Sequence, residues 1–311
     1  MRRTRPKALA LLRGLTLIEL VLAMVLVGII VAGTAYFFYP VTQSVDLAGR
    51  AALTDIADNA LQRIAREVRL ALPNSVRRTT SGSSSFLEFL PVRTAGRYRA
   101  DGGGIAGGTD CPNIGGVGVP DSDQLSFNPV VDTCFKTIGT LADATTITTN
   151  DWLVFNNYGE GFDGQTAYAT AGTLNRRKIS AAADETTRER IAFISTVALD
   201  RTLHDSPGKR FFVIVGNASG PEPVTYECNT STRTLVRRSG YTMTAAQPTS
   251  FTGGTSNLIA DDVSDCNFDY VANVAPQIGL LTLRLTLSRG LPGGATQTVS
   301  LYHAVHVTNV P

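Results

Sequence analysis

The sequence predicts an α+β fold in which a long N-terminal helix packs on a β-sheet-rich head. Three observations lead to this prediction. An apolar stretch over residues 15–39 is long enough to cross a membrane, an amphipathic helical pattern follows it over residues 40–72, and short strand-like runs are spread over residues 73–311. A basic leader over residues 1–14 completes this division of the chain.

Basic charge is concentrated at the N-terminus. The formal net charge is +2, but the leader contains only basic residues, so the rest of the chain is slightly acidic. A head with this balance lacks the basic face that nucleic-acid binding needs, and we expect no nucleic-acid partner. The leader suits the cytoplasmic flank of a membrane helix instead. Its basic residues are Arg2, Arg3, Arg5, Lys7 and Arg13.

The apolar stretch Leu15–Tyr39 contains a single side chain that is normally charged, Glu19. As a helix, the stretch spans about 37 Å and is predicted to be transmembrane. A carboxylate in a membrane helix costs roughly 2.5–3.5 kcal/mol on insertion scales, so its presence needs a reason. A secretory signal peptide cut near Gly33 and Ala35 gives no such reason, and neither does a plain signal anchor.

The run from Arg13 to Leu20, Arg-Gly-Leu-Thr-Leu-Ile-Glu-Leu, resembles the N-terminal cleavage and methylation motif of the type IV pilin superfamily. In that family a small Gly precedes the cut and a Glu is the fifth mature residue. The resemblance implies that prepilin peptidase cuts between Gly14 and Leu15 and that Leu15 becomes the N-methylated terminus. It also implies that Glu19 offsets the terminal amine of a neighbouring subunit during assembly. Leu15 stands where the family usually has Phe, which keeps the position apolar.

A helical apolar period continues over residues 44–72, with charged side chains on the opposite face. Pro73 is predicted to end this helix, and Pro40 to kink it or to unwind one turn. In pilins, the first half of such a helix lies in the membrane or filament core and the second half packs on the head, which the resemblance implies here. The predicted apolar face is Leu47, Ala52, Leu53, Ile56, Ala57, Ala60, Leu61, Ile64, Ala65, Val68 and Leu72.

The head is predicted from short β-branched or aromatic runs between turn residues. The clearest is Leu281–Ser288, whose strict alternation predicts a strand with one face on a core and Thr298–Thr308 as its partner. Gly102–Gly118 is predicted to be an exposed loop, and a second domain between about 100 and 200 remains an open alternative. The other predicted strands are Ser85–Val92, Gln124–Val130, Trp152–Tyr158, Arg210–Val215 and Val224–Cys228.

All four cysteines lie beyond residue 110, which suits two disulfides if the head is extracytoplasmic. Pairing of nearest neighbours in sequence gives Cys111–Cys134 and Cys228–Cys266. This connectivity is favoured among the three that four cysteines allow. Loop-closure entropy gives each bridge roughly 3–4 kcal/mol.

We predict no catalytic site, metal site or cofactor, and expect that the chain is not an enzyme. His303 and His306 are the one close histidine pair, and on a strand their spacing directs them to opposite faces, with His303 near the core. Asp261, Asp262 and Asp265 lack the spacing and glycine of a known calcium loop, so a solvated acidic turn is the favoured interpretation.

A second resemblance rests on five further segments, which are Leu53–Ser75, Pro223–Cys228, Val263–Cys266, Leu281–Arg289 and Val305–Pro311. These segments are similar to the MshO family of MSHA (mannose-sensitive haemagglutinin) pilus biogenesis proteins. The resemblance implies a minor pilin of a Gram-negative inner membrane, with a pilin-like periplasmic head, that initiates or caps a pilus at its tip. Its implied partners are prepilin peptidase, other minor and major pilins through the N-terminal helix, and the inner-membrane assembly platform.

Two alternative functions stay open. A J-type minor pseudopilin of type II secretion has a related architecture. A membrane-anchored module whose head binds a glycan or another surface ligand belongs to a different class. Exposed aromatic platforms would favour this module, and the chain has a single tryptophan, Trp152.

Overall fold

The computed structural model describes residues 16–100, 124–129, 131–172, 174–184, 187–275, 277–291 and 294–311. The chain is α+β, with one long N-terminal helix and a body that is rich in β-strands. It divides into two compact units, Met1–Ala52 and Leu53–Pro311. The predicted leader and the predicted loop Gly102–Gly118 lie outside the described residues.

Helix α1 covers Leu17–Arg69 and therefore contributes to both units. In the first unit, Leu17–Thr34 has a mean hydropathy of 2.6 and no buried residues, and it is long and apolar enough for a membrane anchor or a signal sequence. The helix is continuous through Pro40, so of the two predicted alternatives, a kink or an unwound turn, the unwound turn does not occur. A proline removes only one backbone N–H from the helical ladder, and the bonds on either side maintain the helix. Leu47 is 71% exposed and is not part of a packed face, contrary to the prediction.

In the second unit, α1 buries the predicted apolar face from Leu53 onward. It ends at Arg69, before the predicted end at Leu72. The Leu72 N–H donates to the Leu90 carbonyl at 2.8 Å and Ala71 pairs with Pro91, so strand-like bonds replace the last helical turn. The buried helix residues are Leu53, Ala57, Ala60, Leu61, Ile64, Ala65 and Val68.

The second unit also contains strands that arise from all parts of the described sequence, together with a short helix, α2 (Arg201–His204). In chain order the strands are β1 (Arg77–Ser81), β2 (Ser84–Phe89), β3 (Val92–Arg97), β4 (Arg99–Ala100), β5 (Gln124–Leu125), β6 (Cys134–Lys136), β7 (Trp152–Phe155), β8 (Arg176–Asp184), β9 (Glu189–Ile194), β10 (Arg210–Ile214), β11 (Val224–Asn229), β12 (Thr234–Ser239), β13 (Thr255–Ala260), β14 (Val263–Ala275), β15 (Ile278–Gly290) and β16 (Thr296–Thr308).

The buried face of α1 shares one core with two antiparallel sheets. One sheet has the order β1-β2-β11-β12-β13 and the other the order β14-β15-β16. The alternation predicted for Leu281–Ser288 is confirmed, because Leu281, Leu283, Leu285 and Leu287 are all buried. The pairing of β15 with β16 is also as predicted.

A third sheet, in the order β3-β10-β7-β8-β9-β6, has its own aromatic core, although it lies within the same compact unit. Strands from both ends of the region 92–214 meet in this sheet, since β3 pairs with β10. The two short strands β4 and β5 pair in parallel. The aromatic residues of this core are Tyr98, Phe127, Phe135, Phe155, Phe193 and Phe211.

Three predicted strands are shorter or split. Ser85–Val92 divides at Leu90 and Pro91 into β2 and β3, which lie in different sheets; a proline cannot donate to a sheet ladder. Gln124–Val130 is reduced to β5, because the N–H of Ser126 donates to the Asp132 carboxylate at 2.7 Å. Trp152–Tyr158 ends at Phe155, because Asn156 has a positive φ of 47°. The strands predicted at Arg210–Val215 and Val224–Cys228 are confirmed as β10 and β11.

Candidate functional site

Glu19 lies in the first turn of α1, where Thr16 caps the helix. The Thr16 hydroxyl oxygen accepts a hydrogen bond from the Glu19 N–H at 3.3 Å, and the Thr16 carbonyl accepts one from the Leu20 N–H at 3.1 Å. A carboxylate in the first turn also interacts favourably with the helix dipole. The sequence analysis missed this cap, although Thr-x-x-Glu before an apolar run is its recognised signal. Glu19 therefore has a favourable local position in addition to any role between subunits.

The surroundings of Glu19 are apolar and open. Leu17, Ile18 and Leu20 are 83%, 77% and 47% exposed, and no ion pair involves Glu19 within the described part of the chain. Gly14 and Leu15, the predicted cleavage residues, lie outside that part. The carboxylate is the single ionisable group in the span Leu17–Thr34.

One face of this apolar helix forms a shallow groove lined by Leu20, Ala23, Met24, Val27, Gly28 and Val31. A Cβ atom added at Gly28 would meet no other atom within 4 Å. Small residues such as Ala23 and Gly28 allow the backbone of a second helix to approach closely in a membrane. This face is therefore suited to helix–helix contact.

In the head, Cys228 of β11 and Cys266 of β14 form a disulfide, as the sequence analysis favoured. The bridge joins the two sheets that share the core with α1. Cys134 is also disulfide-bonded. Cys111, its predicted partner, lies outside the described residues.

Arg77 and Glu88 form a buried ion pair between β1 and β2. Glu88 is fully buried and accepts hydrogen bonds from Arg77 Nε at 2.9 Å, Arg77 Nη2 at 2.6 Å and the Tyr241 hydroxyl at 3.0 Å. Arg77 also donates to Glu160 at 2.7 Å, and its guanidinium lies 3.6 Å from the centre of the Tyr168 ring. Burial raises the pKa of the Glu88 carboxyl, and the Arg77 charge opposes that rise. Through Glu160 the cluster holds the loop after β7 on the first sheet, and through Tyr241 it holds the segment after β12 there.

The acidic turn is solvated, as predicted, since the side chains of Asp261 and Asp265 are 60% and 50% exposed, and its carboxylates also form ion pairs. Asp262 contacts Arg289 Nε at 2.6 Å, and Asp265 contacts Arg284 Nη2 at 2.7 Å. Asp261 lies 3.9 Å from Arg289. Each carboxylate is therefore directed toward a guanidinium.

The two histidines of β16 lie on opposite faces of the strand, as expected from their spacing. His303 is half-buried, pairs with the buried Leu283 and shares its face of β16 with the buried Val305, so its predicted position near the core is confirmed. His306 pairs with Leu280 and is exposed. Among the described residues, no three His, Cys, Asp or Glu side chains are grouped so that they could hold a metal ion.

A basic cavity that was not predicted from the sequence lies beside Trp152. Trp152 of β7, together with Arg176 and Arg177 of β8, lines a cavity of about 430 Å³. Burial and the neighbouring charge of Arg177 lower the pKa of Arg176 to about 10, and burial also lowers the pKa of Arg177. The available sequence signal was the run Arg176-Arg177-Lys178 inside a strand, where consecutive charges are unusual.

No family model matches the chain, and no curated protein or solved structure matches it.

Proposed function

We propose that this chain is a minor pilin of the type IV pilin superfamily, of the MSHA type, which initiates or caps a filament at the inner membrane. The observation that carries the proposal is Glu19, the one ionisable side chain in the apolar span Leu17–Thr34. In this proposal the chain acts through assembly and not through catalysis.

The cost of the charge supports the proposal. Placing Glu19 in a membrane helix costs roughly 2.5–3.5 kcal/mol, and the Thr16 cap offsets only part of this cost because it fixes the backbone and leaves the carboxylate without a cation. A cut after Gly14 creates an α-amine on Leu15, one helical turn from Glu19. An amine from a neighbouring subunit would then neutralise the carboxylate inside an apolar environment.

The two parts of α1 suit different contacts. From Leu53 to Val68 its apolar face is already buried in the core of the second unit, which leaves the span Leu17–Thr34 for contacts between subunits. The groove with Ala23 and Gly28 lies on that span. Other pilins would therefore bind the chain through its apolar N-terminal helix.

The size of the head favours a position at the filament tip. About 240 of the 311 residues follow Leu72. A helical filament requires each subunit to fit both the subunit above and the subunit below. A head of this size would obstruct the layer above and leave the N-terminal helix able to dock on the layer below. The periplasmic side of the inner membrane, and then the tip of the pilus, is therefore the proposed location.

Mass spectrometry of the mature N-terminus tests the processing step. The chain purified from a host with prepilin peptidase should begin at N-methylated Leu15, and Gly14→Trp should leave the full-length chain in the membrane. An N-terminus near Tyr36 would show an ordinary signal-peptidase cut and would refute the proposal.

A pair of variants tests the role of Glu19. Glu19→Gln removes the charge and keeps the size, whereas Thr16→Ala removes the cap and keeps the charge. We expect Glu19→Gln to be inserted and cut but to be recovered poorly in filaments, and Thr16→Ala to be incorporated. If Glu19→Gln is incorporated as efficiently as the native chain, Glu19 has no role in assembly. If both variants fail equally, assembly depends on the first turn of α1 as a whole and not specifically on the charge of Glu19.

A further inference from the structure

The cavity beside Trp152 lies on one face of the third sheet. Trp152 of β7 is in register with Lys178 of β8, and Lys178 is in register with Ile194 of β9. Because side chains alternate along a strand, Arg176 lies on the same face of β8 as Lys178. The walls are mainly apolar, with contributions from Leu174, Val197 and Ala198.

Arg176 is a buried cation without a carboxylate partner in the described chain. It is 7% exposed, and its Nη1 donates to the carbonyls of Ala167, at 2.7 Å, and of Ala169. Its Nε atom is buried and has no hydrogen-bond partner among the described residues. The hydrogen-bonding capacity of the guanidinium is therefore only partly used.

The neighbouring Arg177 is also paired only with neutral groups. Its Nε donates to the Ser195 hydroxyl at 2.8 Å, and its Nη atoms donate to carbonyls, including those of Leu174 and Val197. Two consecutive residues of β8 thus have buried guanidinium groups, and neither has an anionic partner among the described residues. Burying a cation without a counter-charge is costly, and a bound anion would offset that cost.

The geometry points to a binding site for a small organic carboxylate with an apolar or aromatic body. The residues that line the cavity include three basic ones, Arg176, Arg177 and Lys178, and no acidic one, and a carboxylate can accept a charge-assisted hydrogen bond from a guanidinium. The apolar walls and the Trp152 ring would contact the body of the ligand, and a volume of about 430 Å³ is within the range of small-molecule sites. Sulfate and phosphate fit less well, because they are strongly hydrated and have no apolar body to contact these walls. This inference does not depend on the proposed role in a pilus.

Trp152 makes the site directly observable, because it is the single tryptophan of the chain. The full chain in mild detergent is titrated with sodium benzoate at constant ionic strength while the Trp152 emission is recorded. Benzamide, a neutral molecule of the same shape, and sodium sulfate are titrated in parallel. We expect a saturable change with benzoate alone. No saturable change with benzoate, or an equal response to benzamide or to sulfate, would overturn the proposal.

Two variants test the charge of Arg176. Arg176→Gln should weaken benzoate binding at least about tenfold, the loss expected for one charge-assisted hydrogen bond. Arg78→Gln removes the same charge from an exposed ion pair with Asp269 and should bind as the native chain does. Unchanged binding by a folded Arg176→Gln chain would overturn the proposal.

A second pair of variants keeps the test independent of the stability of Arg176→Gln. Ile194 is 57% exposed at the edge of the cavity, so polar substitutions there are compatible with folding. Ile194→Glu places a negative charge beside the site, and Ile194→Gln is its neutral control. Benzoate should bind several-fold more weakly to Ile194→Glu than to Ile194→Gln, and equal affinities would contradict an anion site.

Discussion

Acidification should destabilise the head through a single buried histidine, His204 in α2. His204 is fully buried; its Nδ1 accepts a hydrogen bond from the Asp200 N–H at 3.0 Å, and its Nε2 lies 3.0 Å from the Gly164 carbonyl. Both contacts are satisfied when the proton is on Nε2 and the ring is neutral. A second proton would have to bind to Nδ1, where it would repel the Asp200 N–H and break the hydrogen bond that Nδ1 accepts.

The size of the effect follows from the pKa of His204. Burial, reinforced by the charge of Arg177, lowers this pKa from 6.5 to about 4. Between pH 6.5 and pH 4 the unfolded chain binds more protons than the folded chain. The free energy of unfolding therefore falls as the pH is lowered through this range. The contribution is complete above pH 6.5 and is lost as the pH approaches 4. Between pH 7.5 and pH 4.5 the loss amounts to about 2.5 kcal/mol.

Denaturant unfolding of the full chain in mild detergent at these two pH values measures the loss. His204→Gln should be less stable than the native chain at pH 7.5 and should lack this part of the acid sensitivity, so the difference between the two chains should shrink by about 2.5 kcal/mol at pH 4.5. His306→Gln, at an exposed position on β16, is the matched control and should follow the native chain. If the native chain and His204→Gln lose the same free energy on acidification, the assignment of the effect to His204 is wrong.

Three further outcomes are expected. Replacement of Cys228 by Ser should lower the free energy of unfolding by about 4 kcal/mol, because the bridge closes a loop with a sequence separation of 38. Urea unfolding measures this loss, and a loss below 1 kcal/mol would contradict the loop-entropy argument. Arg77→Ala should lower the free energy of unfolding by about 3–5 kcal/mol, because it leaves Glu88 buried without its cation. Arg78→Ala, at the neighbouring exposed position, should lower it by no more than about 0.5 kcal/mol. Equal losses for the two variants in thermal unfolding would refute the distinction. Deletion of the gene should reduce the number of filaments more than their length, and immunogold labelling at regular intervals along whole filaments would refute the tip position.

Local periodicity made part of the fold predictable. The burial of Leu53, Ile64 and Val68 follows from a helical apolar period, and that of Leu281 and Leu283 from strict alternation along β15. Each pattern belongs to one segment that packs on one core, so residues close together in the sequence are enough to predict which side chains are buried. The Cys228–Cys266 bridge was favoured for a related reason, since pairing of near neighbours is the simplest connectivity.

The third sheet was not predictable in the same way, because its order depends on pairing between distant segments. β10 pairs with β3 although Val92 and Ile214 are far apart in the chain, and no local pattern encodes that partner. The change of sheet at Pro91 was also hidden, because Ser85–Val92 has the composition of one strand. Arg176 was missed for a third reason: the groups that satisfy its Nη1 are backbone carbonyls of the loop before β8, and carbonyls have no sequence signature.

The chain leaves charge without a counter-charge at two separate places, and both proposals follow from that observation. Glu19 lies in an apolar helix with no cation among the described residues, and Arg176 lies in a mainly apolar cavity with no described carboxylate. Elsewhere the head shows how its buried charges are normally handled, since Glu88 receives donors from Arg77 and Tyr241. Because an ion in an apolar environment is unfavourable without a partner, a charge with no counter-charge in the chain suggests a partner from another molecule. The chemistry differs at the two places: the two proposals assign Glu19 a cation, the amine of a neighbouring subunit, and assign Arg176 a small organic anion.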